Sequence, residues 1–342
     1  MKRVPADWEP QEAIWIAWPH NQETWPGRFQ FIPDCFRQLV NTISESMPVH
    51  VLAASSLDRS MLTGLASSVR VHDVVTNDCW IRDYGPTYVV SDDEPSCYAI
   101  DWKYNAWGGK YPPWQQDDEA TAAIIRAAGW RHLAADLCLE GGALEFDGTG
   151  RLLTTSDCLL TRTRNPAWTR SQVENRLAEL TGVNEVVWVD GGGLQGDDTD
   201  GHIDQLARFL DPENLVVAVC DDPEDDNHVG LEHNFELLSR WAEDTSPAVN
   251  VHRLPIPAAR YVQAQRVPES YCNFLRLGPS RILVPHFGQP ESDQQACETI
   301  QAVAAIAQPN VNVSGFDCVE LVWGLGALHC ASSNQPLIPS SP

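Results

Sequence analysis

DGGGLQGDDTDGHIDQLARF, residues 190–209, holds the reading on which the fold turns. It follows the apolar run EVVWVD and contains a literal G-x-G-x-x-G in Gly191, Gly193 and Gly196. A dinucleotide-binding unit would place a helix next, with its amides around a pyrophosphate. Asp197, Asp198 and Asp200 follow instead, and three carboxylates repel a pyrophosphate. A calcium loop fails as well: its template needs an acid where Gly196 stands and a glutamate where Ala207 stands. What remains is His202 with Asp204. On an extended strand residues two apart share a face, so this pair is expected in one pocket. A metal centre built on the pair has no further ligand at suitable spacing.

Outward from this stretch, short strand-type runs recur: VHVLAAS, VRVHDVV, TYVVSD, CYAIDW, ALEFDG, RLLTTS, EVVWVD, LARFL, NLVVAVC, RILVPHF and VNVSGF. Helical patterns fall near 33–46, 57–67, 117–128, 169–181, 230–242 and 292–307. Strict βαβ alternation would give about one strand per helix. Two strands per helix point to a ββαβ-like unit in an α/β protein. Glycines recur at Gly108-Gly109, Gly141-Gly142, Gly191-Gly192 and Gly324/Gly326, hinting at a repeat of roughly fifty to seventy residues. No linker divides the chain, so residues 1–342 are read as a single domain with a peripheral tail after Pro336.

Composition narrows the partners. The 342 residues carry 23 basic and 47 acidic side chains, a formal charge of -24. That field repels nucleic acid and favours a small cation. The start, MKRVPADWEP, has no apolar core of a signal peptide, and no apolar run approaches the ~18 residues of a membrane span. A cytoplasmic location is expected, with the ten cysteines reduced. No pair is spaced C-x-x-C. Of the 13 tryptophans, Trp8, Trp25, Trp80, Trp107 and Trp114 sit beside glycine, proline or acids, as in pocket walls.

Three more stretches gather polar residues. NDCWIRDYGP, 77–86, reads as a strand running into a turn; its charges either face solvent or, like Asp83, a site. LEGGALEFDG, 139–148, puts Glu140 at a strand end beside two glycines, where backbones approach closely. GLGALHCASSNQP, 324–336, puts Cys330 after His329. A nucleophilic cysteine needs a base or a cation to hold it as thiolate. Strand neighbours point to opposite faces, so His202 is the better partner and His329 is expected to face elsewhere. Carboxylates, one histidine and one cysteine suit a planar cation: carboxylates grip a guanidinium, and the bound cation lowers the thiol pKa.

In these residues the chain resembles the agmatine deiminases of the guanidino-modifying (pentein) superfamily. The resemblance rests on PADWEPQEAIWIAWPHNQETWPG, NDCWIRDYGPT, YNAWGGK, LEGGALEFDGTGRLLTTSDCLLTRTRNP, DDTDGHID, VPESYCNFLRL and the terminal G-x-HC…QP, in that order. It implies a five-bladed α/β propeller of ββαβ units. It further implies Cys330 as nucleophile and His202 as general acid and base. Asp83 and Asp204 would hold the guanidinium, Glu140 would assist, Trp80 would form a wall and Asp198 would lie near the substrate's amine end. The implied reaction turns agmatine into N-carbamoylputrescine and ammonia through an amidino-cysteine, in putrescine metabolism. It needs no cofactor and no metal. A homodimer or higher homo-oligomer is compatible with it.

The chain departs from the family pattern at Leu325, Ala327 and Leu328, where GGGNIHC is usual, at ASSNQP, where ITQQQP is more common, and at Asp200, where asparagine is usual. The catalytic groups stay, but the substrate is put in question. The alternatives are a deiminase of free or peptidyl arginine, a non-catalytic guanidinium-binding pentein, and a metal hydrolase built on DDTDGHID.

Overall fold

The structure, a computed structural model, describes residues 2–91 and 97–338. The end of the tail read as peripheral, 339–342, and the last residue of TYVVSD lie outside the described residues. Among the described residues, five sheets share one plan. An antiparallel pair of strands is followed by a helix and a third strand parallel to the second. The pairs and crossover helices are Thr87–Ser91/Tyr98–Lys103 with Gln115–Ala128, Glu145–Phe146/Arg151–Thr155 with Arg170–Thr181, Ala207–Asp211/Asn214–Val219 with His228–Glu243, and Leu275–Leu277/Arg281–His286 with Pro290–Ala307. The parallel strands that complete them are Arg131–Cys138, Glu185–Val189, Asn250–Pro255 and Asn312–Asp317. In the fifth unit the first strand comes from the far end of the chain: Ser333–Pro336 pairs with Gln11–Ala17, which runs parallel to Val49–Leu52. The two ends of the sequence are thereby fastened in one sheet.

Local chemistry explains most boundaries. Thr169 and Gln172 form a capping box, and Gly129 and Gly182 end their helices in the left-handed region. Pro33 and Pro290 stand in first turns, where a missing N–H costs nothing. The helix expected over 57–67 is a single 3-10 turn, Arg59–Leu62: Asp58 caps it through the Ser60 amide, and Gly64 has φ +88. NDCWIRDYGP does not run as a strand; Ile81–Tyr84 is a short helix. Among the strands named above, Gln11–Ala17, Arg131–Cys138, Asn250–Pro255, Leu275–Leu277 and Ser333–Pro336 carried no sequence expectation.

A large apolar cluster packs the sheets against their helices, from Ile14 and Phe36 to Leu283 and Ile300, all fully buried. The links from each unit's parallel strand to the next unit's first strand hold polar residues. Three of those links, 139–144, 190–206 and 318–332, are short, and two longer ones, 53–86 and 256–274, carry theirs in their closing stretches, 77–86 and 267–274.

Candidate active site

Each of these links delivers one or two buried polar side chains to one place. Asp83, in the helix Ile81–Tyr84, receives the Trp107 indole N–H on Oδ2 (2.9 Å) and the Gly142 amide on Oδ1 (3.1 Å). Burial pushes its carboxyl up to about 6; Asp204 and Glu140 push the same way, and His202 and Trp107 oppose. Glu140 is fully buried, and both its oxygens take the Nε–H of Arg164, at 2.8 and 2.9 Å. Burial works against its charge, but His202 and Arg164 outweigh it and hold the carboxyl down to about 2.

His202 lies between them, its Nδ1 3.5 Å from Asp83 and its Nε2 3.5 Å from Glu140. Neither ring nitrogen has a hydrogen-bond partner, although the residue is fully buried. Burial would lower its pKa, yet the negative field of Asp83, then Cys158 and Glu140, raises it well above the usual value. The expected strand at 202–204 is not there. His202 is extended and Ile203–Gln205 is a 3-10 turn, yet the two side chains still converge. A Cβ on Gly142 would stand 2.6 Å from His202 Nδ1, 2.8 Å from Asp83 Oδ1 and 3.2 Å from Asp204 Oδ2. Glycine is the residue that leaves room for this cluster.

Asp204 is fully buried, and its Oδ1 has no partner. Buried unpaired acceptors are rare and mark a place where a ligand or water belongs. Burial opposes its charge, but the His329 ring, 2.7 Å away through Nδ1, holds it below the usual range. His329 therefore does not face away from the site, as expected, but braces the back of Asp204. Residues 328–331 form a turn rather than a strand, so the alternation rule does not apply. Cys330 Sγ lies 3.8 Å from Asp204 Oδ2 and receives the Asn273 amide N–H at 3.1 Å. Burial, with Asp204 and Asp83, pushes its thiol well above the ordinary range.

Asn273 and Arg164 carried no sequence expectation as site residues. Asn273 also accepts the His329 and Cys330 amides, at 3.1 and 3.3 Å, and so clamps the nucleophile's turn. Glu140, Cys158 and His202 present ligand atoms within 4.8 Å of one another. Arg164 already occupies both Glu140 oxygens, which sets a fixed positive charge against any cation there.

Above the cluster opens a cleft of about 810 Å³, lined by Cys330, Asp83, Trp80, Trp107, Tyr104 and Asp198 among others. Glu140, His202 and Asp204 lie beneath its floor. Trp80 packs on Gly326, where a Cβ would come within 2.6 Å of the ring. Asp198 stands at the rim, bonded by the Tyr111 hydroxyl. The lining is acidic, with Glu23, Asp78 and Asp117 added, and the Lys110 ammonium is paired with Asp200 at 2.7 Å. Leu325 and Asp200, two of the unusual positions, both have positive φ, +68 each.

Residues 3–336 match the family described as Porphyromonas-type peptidyl-arginine deiminase. The chain is 31% identical to an agmatine deiminase of Pseudomonas aeruginosa over 98% of this chain and 95% of that protein. Its structure is similar to an agmatine deiminase of Enterococcus faecalis, with TM-score 0.90 at 28% identity, covering 98% of this chain and 96% of the other. It is similar as well to a C. jejuni agmatine deiminase, a cysteine-to-serine variant with substrate bound. There the TM-score is 0.88 at 28% identity, with the same coverage.

Proposed function

The chain belongs to the Porphyromonas-type peptidyl-arginine deiminase family, and from its likeness to agmatine deiminases we propose that it hydrolyses agmatine to N-carbamoylputrescine and ammonia. The observation that carries the reading is the Cys330 thiol beside Asp83, Asp204 and His202, with Asp204 Oδ1 and both His202 nitrogens unpartnered. A guanidinium has N–H donors in a planar fork and a positive charge, which match the unpartnered Asp204 Oδ1 and the Asp83 carboxylate. The acidic lining favours agmatine over arginine, whose α-carboxylate would meet Glu23, Asp78, Asp117 or Asp198.

In this reading the five units form a five-bladed propeller in one domain, with the five links meeting at its centre. Cys330 stays a thiol in the free protein, because burial and two carboxylates oppose its ionisation. The entering guanidinium reverses that local field, and the thiol proton leaves for solvent. The thiolate attacks the guanidinium carbon while Asp83 and Asp204 hold the nitrogens. His202, protonated in the field of Asp83 and Glu140, gives its proton to the departing nitrogen, and ammonia leaves. An amidino-cysteine remains. Neutral His202 then takes a proton from water and the hydroxide adds to the same carbon; the new hydroxyl gives its proton to solvent as the C–S bond breaks, which leaves the thiolate and releases the product. Arg164 keeps Glu140 ionised throughout. The reading needs no metal or cofactor, and the ten free cysteines suit the reducing cytoplasm. Among the described residues no helix is long and apolar enough to cross a membrane.

The test is ammonia release from agmatine, arginine and an arginine peptide, with and without a chelator. Ammonia from agmatine that survives the chelator and is lost in Cys330→Ser is the expected result. Release from arginine or the peptide alone transfers the reaction to that substrate, and no release from any of them refutes it.

A further inference from the structure

We propose that Asp78, Asp117 and Tyr104 form the subsite that holds the ammonium at the far end of the substrate; this rests on the reading of the protein as an agmatine hydrolase. All three line the cleft that Cys330 and Asp83 share. The two carboxylates are tied together by the backbone: Asp117 Oδ1 accepts the amides of Asn77 and Asp78, at 2.7 and 3.1 Å. Asp78 in turn accepts the Thr24 hydroxyl and the Cys79 amide, both at 2.7 Å. No lysine or arginine bonds either carboxylate among the described residues. Burial raises both carboxyls, Asp117 to about 8 and Asp78 above its usual value. Two buried carboxyls side by side resist ionising together, and a cation between them would favour their charged forms.

Tyr104 supplies an independent observation. Its residue is 4% exposed and its hydroxyl has no hydrogen-bond partner. A buried phenol left unpaired is costly, so the position implies an occupant. The hydroxyl lies in the electrostatic field of Asp117, Asp83, Glu140 and Asp78. Trp107 packs edge-on against Tyr104, at 5.7 Å, and bonds Asp83, giving an apolar wall for a methylene chain between the two ends. A primary ammonium has three donors, which match two carboxylates and a phenol oxygen. Asp198, the sequence's candidate for this task, stands at the rim with its carboxylate already bonded by Tyr111.

The experiment measures binding without turnover, by calorimetry on full-length Cys330→Ser protein. The probes are agmatine and butylguanidine, which keeps the four-carbon chain and the guanidine but lacks the terminal amine. Agmatine is expected to bind more tightly. In that background Tyr104→Phe and Asp78→Asn should weaken agmatine about tenfold to a hundredfold and leave butylguanidine unchanged within about twofold. Asp198→Asn should leave the ratio of the two ligands intact. Equal losses for both ligands would overturn the proposal, as would a ratio that collapses in Asp198→Asn and survives in Tyr104→Phe. If Asp78→Asn does not fold, Tyr104→Phe decides alone, because its hydroxyl holds nothing else in the protein. The two readings fail separately. A missing affinity ratio sinks the subsite even if the active chain releases ammonia. Absence of ammonia sinks the hydrolase even if the ratio stands.

Discussion

Removing the Asn273 side chain should cripple the nucleophile without touching any group that contacts the substrate. Asn273 donates to Cys330 Sγ at 3.1 Å and accepts from the His329 and Cys330 amides at 3.1 and 3.3 Å. A hydrogen bond to a charged group contributes about 1.5–3 kcal/mol, so losing the donor should raise the thiol pKa by roughly one to two units. The same energy corresponds to about a tenfold to hundredfold fall in kcat/KM below that pKa. The His329 amide keeps the residue-273 backbone carbonyl, at 3.2 Å, but the Cys330 amide is left unpaired at a cost of about 1–3 kcal/mol, so Asn273→Ala should also lower the unfolding free energy by about that much. Asn273→Asp separates the two effects. It keeps an acceptor for the amides but sets a carboxylate against the sulfur, so it should fold better than the alanine variant and react more slowly. The assay is the pH dependence of iodoacetamide alkylation and of kcat/KM, with Cys330→Ser subtracting the other cysteines. Thiolate fraction rises with pH, so the midpoint should move to higher pH in both variants. A folded Asn273→Ala protein with an unmoved alkylation profile would refute the reasoning.

Asp117 gives a stability prediction with a definite sign. Its carboxyl is raised from the ordinary 3.8 to about 8, so the folded state keeps a proton that the unfolded state has lost. Stability from this group should fall as pH rises from about 4 to 8 and level off above, and Asp117→Asn should flatten that slope in urea unfolding series. Leu325→Gly removes a leucine from φ +68, a conformation costing about 1–2 kcal/mol, against a smaller entropic loss; Tm should rise, and the cleft should discriminate less between agmatine and bulkier guanidines. Gly142→Ala places a methyl 2.6 Å from His202 Nδ1 and should cut kcat about a hundredfold or more while circular dichroism stays native.

How much of this was legible depends on what each residue's signal was. The strand-to-helix count and the glycine spacing only hinted at a repeat, because strand pairs and helices leave periodic traces in any sequence. The closing strand Ser333–Pro336 left none: its four residues are ordinary, and only their partner Gln11–Ala17 makes them a strand. Residue chemistry pointed to Asp83, Glu140, His202, Asp204 and Cys330, since carboxylates beside glycines and a histidine two residues from an acid stand out. The reasons attached to them were weaker than the residues. Strand alternation was invoked for His202/Asp204 and for His329/Cys330, and neither pair lies on a strand. At His329 the error mattered, because a turn lets it and Cys330 reach the same oxygen, Asp204 Oδ2.

Asn273 shows where sequence reasoning stopped one step short. An asparagine inside VPESYCNFLRL has no pKa, no metal preference and no nucleophilicity, so nothing in its chemistry marks it. Its position does. The links from one unit's last strand to the next unit's first carry Asp83, Glu140, the pair His202 and Asp204, and Cys330. Four of the five links were thus assigned, and the repeat requires the fifth, at 267–274, to reach the same place. The two polar residues there that could serve by geometry are Glu269 and Asn273; Glu269 is held by Arg260, at 2.5 Å from its Nε, which leaves Asn273 to face the sulfur. The repeat therefore does more than build a scaffold. Each link is fixed at both ends by a strand, so its polar side chain arrives with little freedom to lose, and carboxylates that would repel one another are held together until a cation joins them.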